Sequence, residues 1–339
     1  WETAVTNRGY FVTGGQTCYE AWTPPFIFKD RLNEDNQEHC TVYNMIRLAD
    51  FLFRHTGKQA FLDYIDLNFQ NGILAQQHPD SGMVGYYLPM QPGGQVLWGK
   101  PTENFWCCHG TLVQVHMLHA AGVFYQQDGA LLIAQYRPVR AQQVLDGQDV
   151  SVEIREDYNF PYSLRSPIPR AIEASYPSLH GRRYIIKVVS TQDVEFELKL
   201  RVPDWVVGPA KISIDGMEQE IAENSGVISF RRIWNQNEIV VEFGCAITAH
   251  PLPDDSRRVA FRDGPDVLVG LTSNDSLPVS TAAEALSLLR YESRKAHATQ
   301  QIYYELQGLG GSISMIRLCD LRDEVYTMYF LLASQAVQT

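Results

Sequence analysis

Residues 33–40 read NEDNQEHC and residues 102–111 read TENFWCCHGT. Glu38 and Cys40 close the first piece, and the vicinal Cys107 and Cys108 lie inside the second. What reads as a helical hairpin and a long loop separates them, so the fold could return one pair to the other. Three thiolates and one carboxylate would complete a tetrahedral shell for zinc, with Zn–S near ~2.3 Å and Zn–O near ~2.0–2.2 Å. No Cys-x-x-Cys pair occurs in the chain, so this is not zinc-finger spacing and such a site has to be assembled by tertiary structure. Two plainer readings stand beside it: a vicinal disulfide at Cys107–Cys108, or two buried thiols acting as small hydrophobes.

Working outward, Val42, Met45, Ile46, Ala49, Leu52 and Phe53 recur at helical spacing from about Asn36, with Gly57 placed as a C-cap. Residues i and i+2 do not share a helix face. Glu38 and Cys40 can therefore meet one ion only in the frayed first turn or just before it. A second helix is expected from about Gln59 to Gln76, stopping before Pro79, and a third from about Cys108 to Gln126. The third places Cys107 and Cys108 at a helix N-terminus, where the backbone N–H groups favour thiolate over thiol; His109 reads as a hydrogen-bonding neighbour. Residues 78–104 are rich in Gly and Pro but carry Tyr86, Tyr87 and Trp98, which argues for an ordered functional loop. Sealing a helix bundle is the plainer use of those aromatics. Residues 16–37 contain Pro24-Pro25 and read as a loop without regular elements. That loop displays Glu20 near Trp22, either as solvated surface or as a catalytic group.

After Asp128-Gly129 the period changes from 3.6 to 2. VSVEI, YIIKVV, VEFELKLRV, KISI, GVISF and EIVVEF alternate or run apolar between turn residues, the signal of an antiparallel sandwich. The fold class is thus mixed, with α and β in separate domains: residues 1–127 helical, 128–250 a β-sandwich, and 251–339 a second β-rich region. That last region mixes FRDGPDVLVGL, a helical AAEALSLLRYES, and strand-like SMIRL and VYTMYFLL.

With 339 residues the chain can hold two or three domains with real cores. A formal charge of -11 argues against nucleic acid, whose binding depends on Lys and Arg. No apolar run is long enough to span a bilayer, which excludes a helical membrane anchor within these residues. Six irregularly placed cysteines favour metal or catalytic use, and a cytoplasmic setting, over a disulfide framework, without excluding a secreted protein. An acidic, aromatic-rich surface suits a neutral, hydroxyl-rich ligand.

FVTGG (residues 11–15), the Glu20 loop, EHC at the start of a helix, YYLPM (86–90) and FWCCHGT (105–111) together resemble the zinc-dependent, cysteine-nucleophile β-L-arabinofuranosidases. LRVPDW and DGPDVLVGL add weaker echoes. These are glycoside hydrolases with an (α/α)6 barrel followed by β-sandwich domains. The resemblance implies Glu38, Cys40, Cys107 and Cys108 as zinc ligands, Cys107 also as the nucleophile, Glu20 as the general acid/base and Tyr86 as a substrate contact. It also implies a small-molecule or oligosaccharide substrate, and that this chain is the C-terminal portion of a protein whose N-terminal segment supplies the first half of the barrel. Two alternatives remain: a non-catalytic helical and β module stabilised by zinc, or a hydrolase of another plant-wall sugar. Glu20 beside the ligand set separates the first from an enzyme, because a structural site needs no acid.

Overall fold

The apolar stripe after Glu38 forms α1, His39–Thr56, which buries Val42, Met45, Ala49 and Phe53. Gly57 ends it with φ of 66°, its N–H on the Phe53 carbonyl, a left-handed stop that glycine takes without a Cβ penalty. The second segment is α2, Ala60–Asn68, continued by a wider turn over Phe69–Leu74. Val42, Tyr43, Phe69, Ile73 and Val115 make one buried cluster that joins these segments to α3, Cys107–His116.

The computed structural model describes residues 1–157, 180–221, 226–296 and 299–333. They divide into two compact units, Trp1–Met117 with Ile247–Thr339, and Leu118–Ala246. The sequence reading divides the chain at 128 and 251; in the fold, Ile247–Thr339 is one unit with the helical Trp1–Met117.

Three expectations are corrected. The third helix stops at His116 rather than near Gln126, because Phe124–Gln127 pairs with Ala130–Ile133 as a hairpin. Asp128 and Gly129 turn that hairpin, both at positive φ (52° and 73°), the geometry that matches strand twist. Residues 16–37 hold a small two-stranded hairpin, β1 (Thr17–Cys18) and β2 (Ala21–Trp22). The helical reading of AAEALSLLRYES survives only as α4, Ala282–Ser287, after which Leu289–Ala296 is a strand.

In the unit Leu118–Ala246, two long strands, His180–Arg201 and Val227–Cys245, pair antiparallel with a bulge between Trp234 and Gln236. Gln148–Glu156 pairs antiparallel with one half of the first, Ala130–Ile133 runs parallel with the other. Both halves feed a single core that includes Val152, Ile186, Phe196, Leu198, Trp234 and Phe243. In the other unit, a second eight-stranded sheet contributes Val267, Val269 and Ile316, and the segment before its strand Phe330–Leu332 contributes Tyr326 and Tyr329, to a core shared with Phe11, Phe28, Leu88 and Met90. That shared core fixes the loop around Tyr86.

Candidate active site

Glu38 stands outside the first turn of α1, with φ −56° and ψ 128°. That half-extended step is what lets residues two apart face the same way, since within a helix they would diverge. Cys40 follows in the first turn, and Cys107 and Cys108 open α3. One oxygen or sulfur atom from each of Glu38, Cys40, Cys107 and Cys108 lies within 4.8 Å of the other three, a group that could hold a metal ion. Cys40 Sγ is 3.3 Å from Cys108 Sγ, and Cys107 Sγ is 4.0 Å from Cys108 Sγ. Around a tetrahedral ion with bonds of ~2.3 Å, sulfurs sit about 3.8 Å apart. The observed spacings bracket that value, so the donor set fits a thiolate-binding cation. All the cysteines are free thiols, so the vicinal disulfide is not formed. His109 is not in the group: its Nδ1 accepts the Trp106 backbone N–H at 3.2 Å, which closes the start of α3.

Glu20 reaches the cluster from a different element. It occupies the tip of the β1–β2 hairpin, directly after Tyr19 at φ 57°. The Tyr86 hydroxyl donates to Glu20 Oε1, and its own oxygen is 3.2 Å from Cys107 Sγ. One phenol therefore joins the acid expected in the first loop to the first cysteine of α3. Tyr86 is flanked by Tyr87 at 4.5 Å and Trp106 at 5.6 Å between ring centroids, the latter edge-on. Cys107 and Glu20 are exposed, whereas Cys108 and Glu38 are buried.

Without a cation, negative charge is disfavoured here. Burial, then the neighbouring Cys40, pushes the Cys108 thiol well above its ordinary range. Burial likewise raises Cys40, to about 11. Burial, then Cys107 and Glu20, pushes the Tyr86 phenol upward, and burial with nearby acids raises Tyr87 to about 12. A divalent cation reverses this logic by favouring every thiolate it touches.

Residues without a motif brace the cluster. Thr41 Oγ1 donates to Glu38 Oε2 at 2.7 Å, and the Glu38 N–H donates to Thr17 Oγ1 at 2.8 Å. Thr111 Oγ1 lies 3.5 Å from Cys40 Sγ and 3.0 Å from His39 Nδ1. His39 is fully buried, and burial together with His116 lowers its pKa to about 3, so it is neutral. The sequence reading passed over these groups. Periodicity carries no trace of them, nor of the contact by which Gly15 abuts the Gln37 side chain.

A family model, "Beta-L-arabinofuranosidase, GH127 catalytic domain", matches residues 1–120, and its companion, the GH127 middle domain, matches residues 130–244. A search of curated protein sequences returned no match. Among solved structures the chain is similar to a GH127 beta-L-arabinofuranosidase from Geobacillus stearothermophilus T6, with TM-score 0.72 and 18% identity over 98% of this chain and 56% of that one. It is similar to a GH127 beta-arabinofuranosidase with TM-score 0.73 and 18% identity, covering 98% and 55%. A third structure described as a glycoside hydrolase aligns with TM-score 0.68 and 14% identity, over 96% and 60%. The chain therefore spans little more than half the length of these relatives. By class the chain pairs the catalytic and middle domains of one family of arabinofuranosidases. It belongs to the GH127 beta-L-arabinofuranosidase family.

Proposed function

We propose that the protein containing this chain is a retaining hydrolase of terminal β-L-arabinofuranosides, with Cys107 as nucleophile and Glu20 as acid/base. The observation that carries the reading is the Tyr86 hydroxyl, which touches both Glu20 and Cys107. Glu38, Cys40, Cys107 and Cys108 would hold zinc, which when bound keeps a cysteine sulfur deprotonated at neutral pH. A purely structural zinc site is closed, and the exposure of Cys107 beside an exposed carboxyl favours chemistry over bracing. We read α1–α3 as part of an (α/α)6 barrel completed by a segment outside this chain. Exposed Phe51, Val113 and Met117 and the partial coverage of the relatives support that reading.

The residues divide the reaction in two. The Cys107 sulfur attacks the anomeric carbon, the glycosidic C–O bond breaks, and the protonated Glu20 carboxyl gives its proton to the leaving oxygen. Glu20, now a carboxylate, then takes a proton from water, whose oxygen attacks the same carbon and displaces the sulfur. Two inversions retain configuration, as in two-carboxylate enzymes. Tyr86 has one hydroxyl proton for two acceptors. When Cys107 is a thiolate, donation to sulfur leaves the Glu20 oxygen free for its own proton, the state an acid needs.

The test uses the full-length protein, metal analysis and hydrolysis of L-arabinofuranosides with good and poor leaving groups. Cys107→Ser should abolish turnover on both. Glu20→Gln should cost roughly 10²–10⁴ with poor leaving groups and far less with good ones. An active Cys107→Ser enzyme, or a protein that binds no stoichiometric metal, would falsify the reading.

A further inference from the structure

Beneath the cluster lies a buried amide to which none of the steps above assigns a role. Gln76 is fully buried. Its Nε2 is 3.2 Å from each of three backbone carbonyl oxygens, those of Gln37, Gly85 and Tyr86. Its Oε1 accepts from Gln37 Nε2 at 3.3 Å. Its backbone carbonyl accepts the Gly85 N–H at 2.8 Å. Gln37 is equally constrained: it holds φ 50°, its Nε2 donates to the Asn71 carbonyl at 2.9 Å, and its Oε1 accepts from the Thr13 hydroxyl. A Cβ on Gly15 would come within 2.3 Å of Gln37 Oε1, so the glycine is what admits this side chain.

The carbonyls joined by Gln76 belong to the two strands of chain that meet at the site. One carbonyl, that of Gln37, lies in the peptide preceding Glu38; the other two are those of Gly85 and Tyr86, and that of Tyr86 also accepts the His39 N–H at 3.1 Å. Two N–H hydrogens shared among three acceptors need a primary amide at this point. An apolar side chain would leave buried carbonyls short of donors, and a carboxylate would set charge against three carbonyl dipoles. Gln37 in turn sits where L residues are strained, and such strain persists only when the surroundings over-determine it.

We propose that Gln76, acting through Gln37, is a positioning residue: a buried amide clamp that fixes the Glu38 carboxylate and the Tyr86 phenol at one separation. The proposal rests on the reading of the site as a metal-holding hydrolase.

The experiment compares full-length parent protein with Gln76→Met, which keeps volume and loses both donors, and Gln76→Glu, which keeps shape. Thr281→Ala, which removes the hydroxyl cap of α4 far along the chain, is the control for stability alone. Gln76→Met should speed amide exchange at His39 and Gly85 about tenfold or more, with the strands of the other unit unchanged. The absorption of the Co2+-substituted protein should change, and kcat on an activated arabinofuranoside should fall about tenfold or more with KM held within about threefold. Thr281→Ala should lower the melting temperature and move none of these. Should Gln76→Met fail to fold, Gln76→Glu is judged on the same readouts. Failure of both under conditions where Thr281→Ala folds would make Gln76 a structural residue and overturn the proposal. A parent that takes up Co2+ and hydrolyses substrate, with Gln76 variants matching it or losing activity only in step with the unfolded fraction, also overturns it. A parent that does neither overturns the reading of the site and the proposal with it.

Discussion

Each of the two site carboxylates follows a non-glycine residue in the left-handed region, Tyr19 before Glu20 and Gln37 before Glu38. The two are held differently. Gln37 is buried in an amide network, whereas Tyr19 is 58% exposed at a hairpin tip. Tyr19→Gly should therefore leave stability near the parent value, while Tyr19→Val, β-branched at the same φ, should cost about 1–2 kcal/mol in urea unfolding. Equal stability of the two variants would show that this backbone is not constrained. His250 offers a second test at this scale. Its Nε2 is 2.7 Å from the Thr248 hydroxyl, and burial, then Arg262, lowers its pKa to about 4. The unfolded chain binds this proton near the ordinary value of about 6.5, so the stabilisation is complete above that pH and is lost as pH falls toward 4. His250→Gln should flatten the fall in melting temperature across that window. Part of the slope will remain, because His39 is depressed in the same direction.

Among the elements, α1 does most to shape the site, since its start fixes Glu38 and Cys40 and its end fixes its length. Gly57 faces open space where a Cβ would go, so any cost of substitution is purely conformational. Gly57→Ala should destabilise by about 1 kcal/mol through the φ of 66°. An unchanged urea midpoint would mean that the last turn simply unwinds. At the other end, α3 is short because its downstream residues enter a hairpin, and Met117 is left 83% exposed. The element that carries the two vicinal cysteines is therefore anchored mainly through Leu112 and Val115, both buried.

For the whole molecule, the two units differ in how closed their cores are in sequence. Leu118–Ala246 draws its core from its own strands. Expressed alone, it should unfold cooperatively in urea; a featureless, non-cooperative transition would contradict that. Residues 247–339 should not fold alone, because Phe11, Phe28, Leu88 and Met90, all fully buried, complete their apolar cluster. Losing four such side chains removes roughly 6–12 kcal/mol of burial, comparable with a typical domain's total stability of about 5–15 kcal/mol. Adding residues 1–117 back should restore a folded unit.

The sequence by itself determined the local facts. Apolar spacing marked α1, Gly57 marked its end, alternation marked the long strands, and Glu-x-Cys with Cys-Cys marked the cluster. It also limited Glu38 and Cys40 to the first turn of the helix or just before it, because i and i+2 diverge on a helix face; that Glu38 lies just before it is seen only in the fold. Local signals misjudged the extent of α3, since residues 117–126 have acceptable helical spacing, yet residues 117–123 form turns and Phe124–Gln127 pairs with Ala130–Ile133. Tertiary structure alone decided the rest. Nothing local ties Tyr86 to both Glu20 and Cys107, or sets Gln76 under the peptide of Gln37, because those contacts are made by residues far apart along the chain. Nor does any local pattern show that the last strands complete the core around Phe11 and Leu88. Periodicity reports which face of an element is apolar, but the face it meets is chosen by packing.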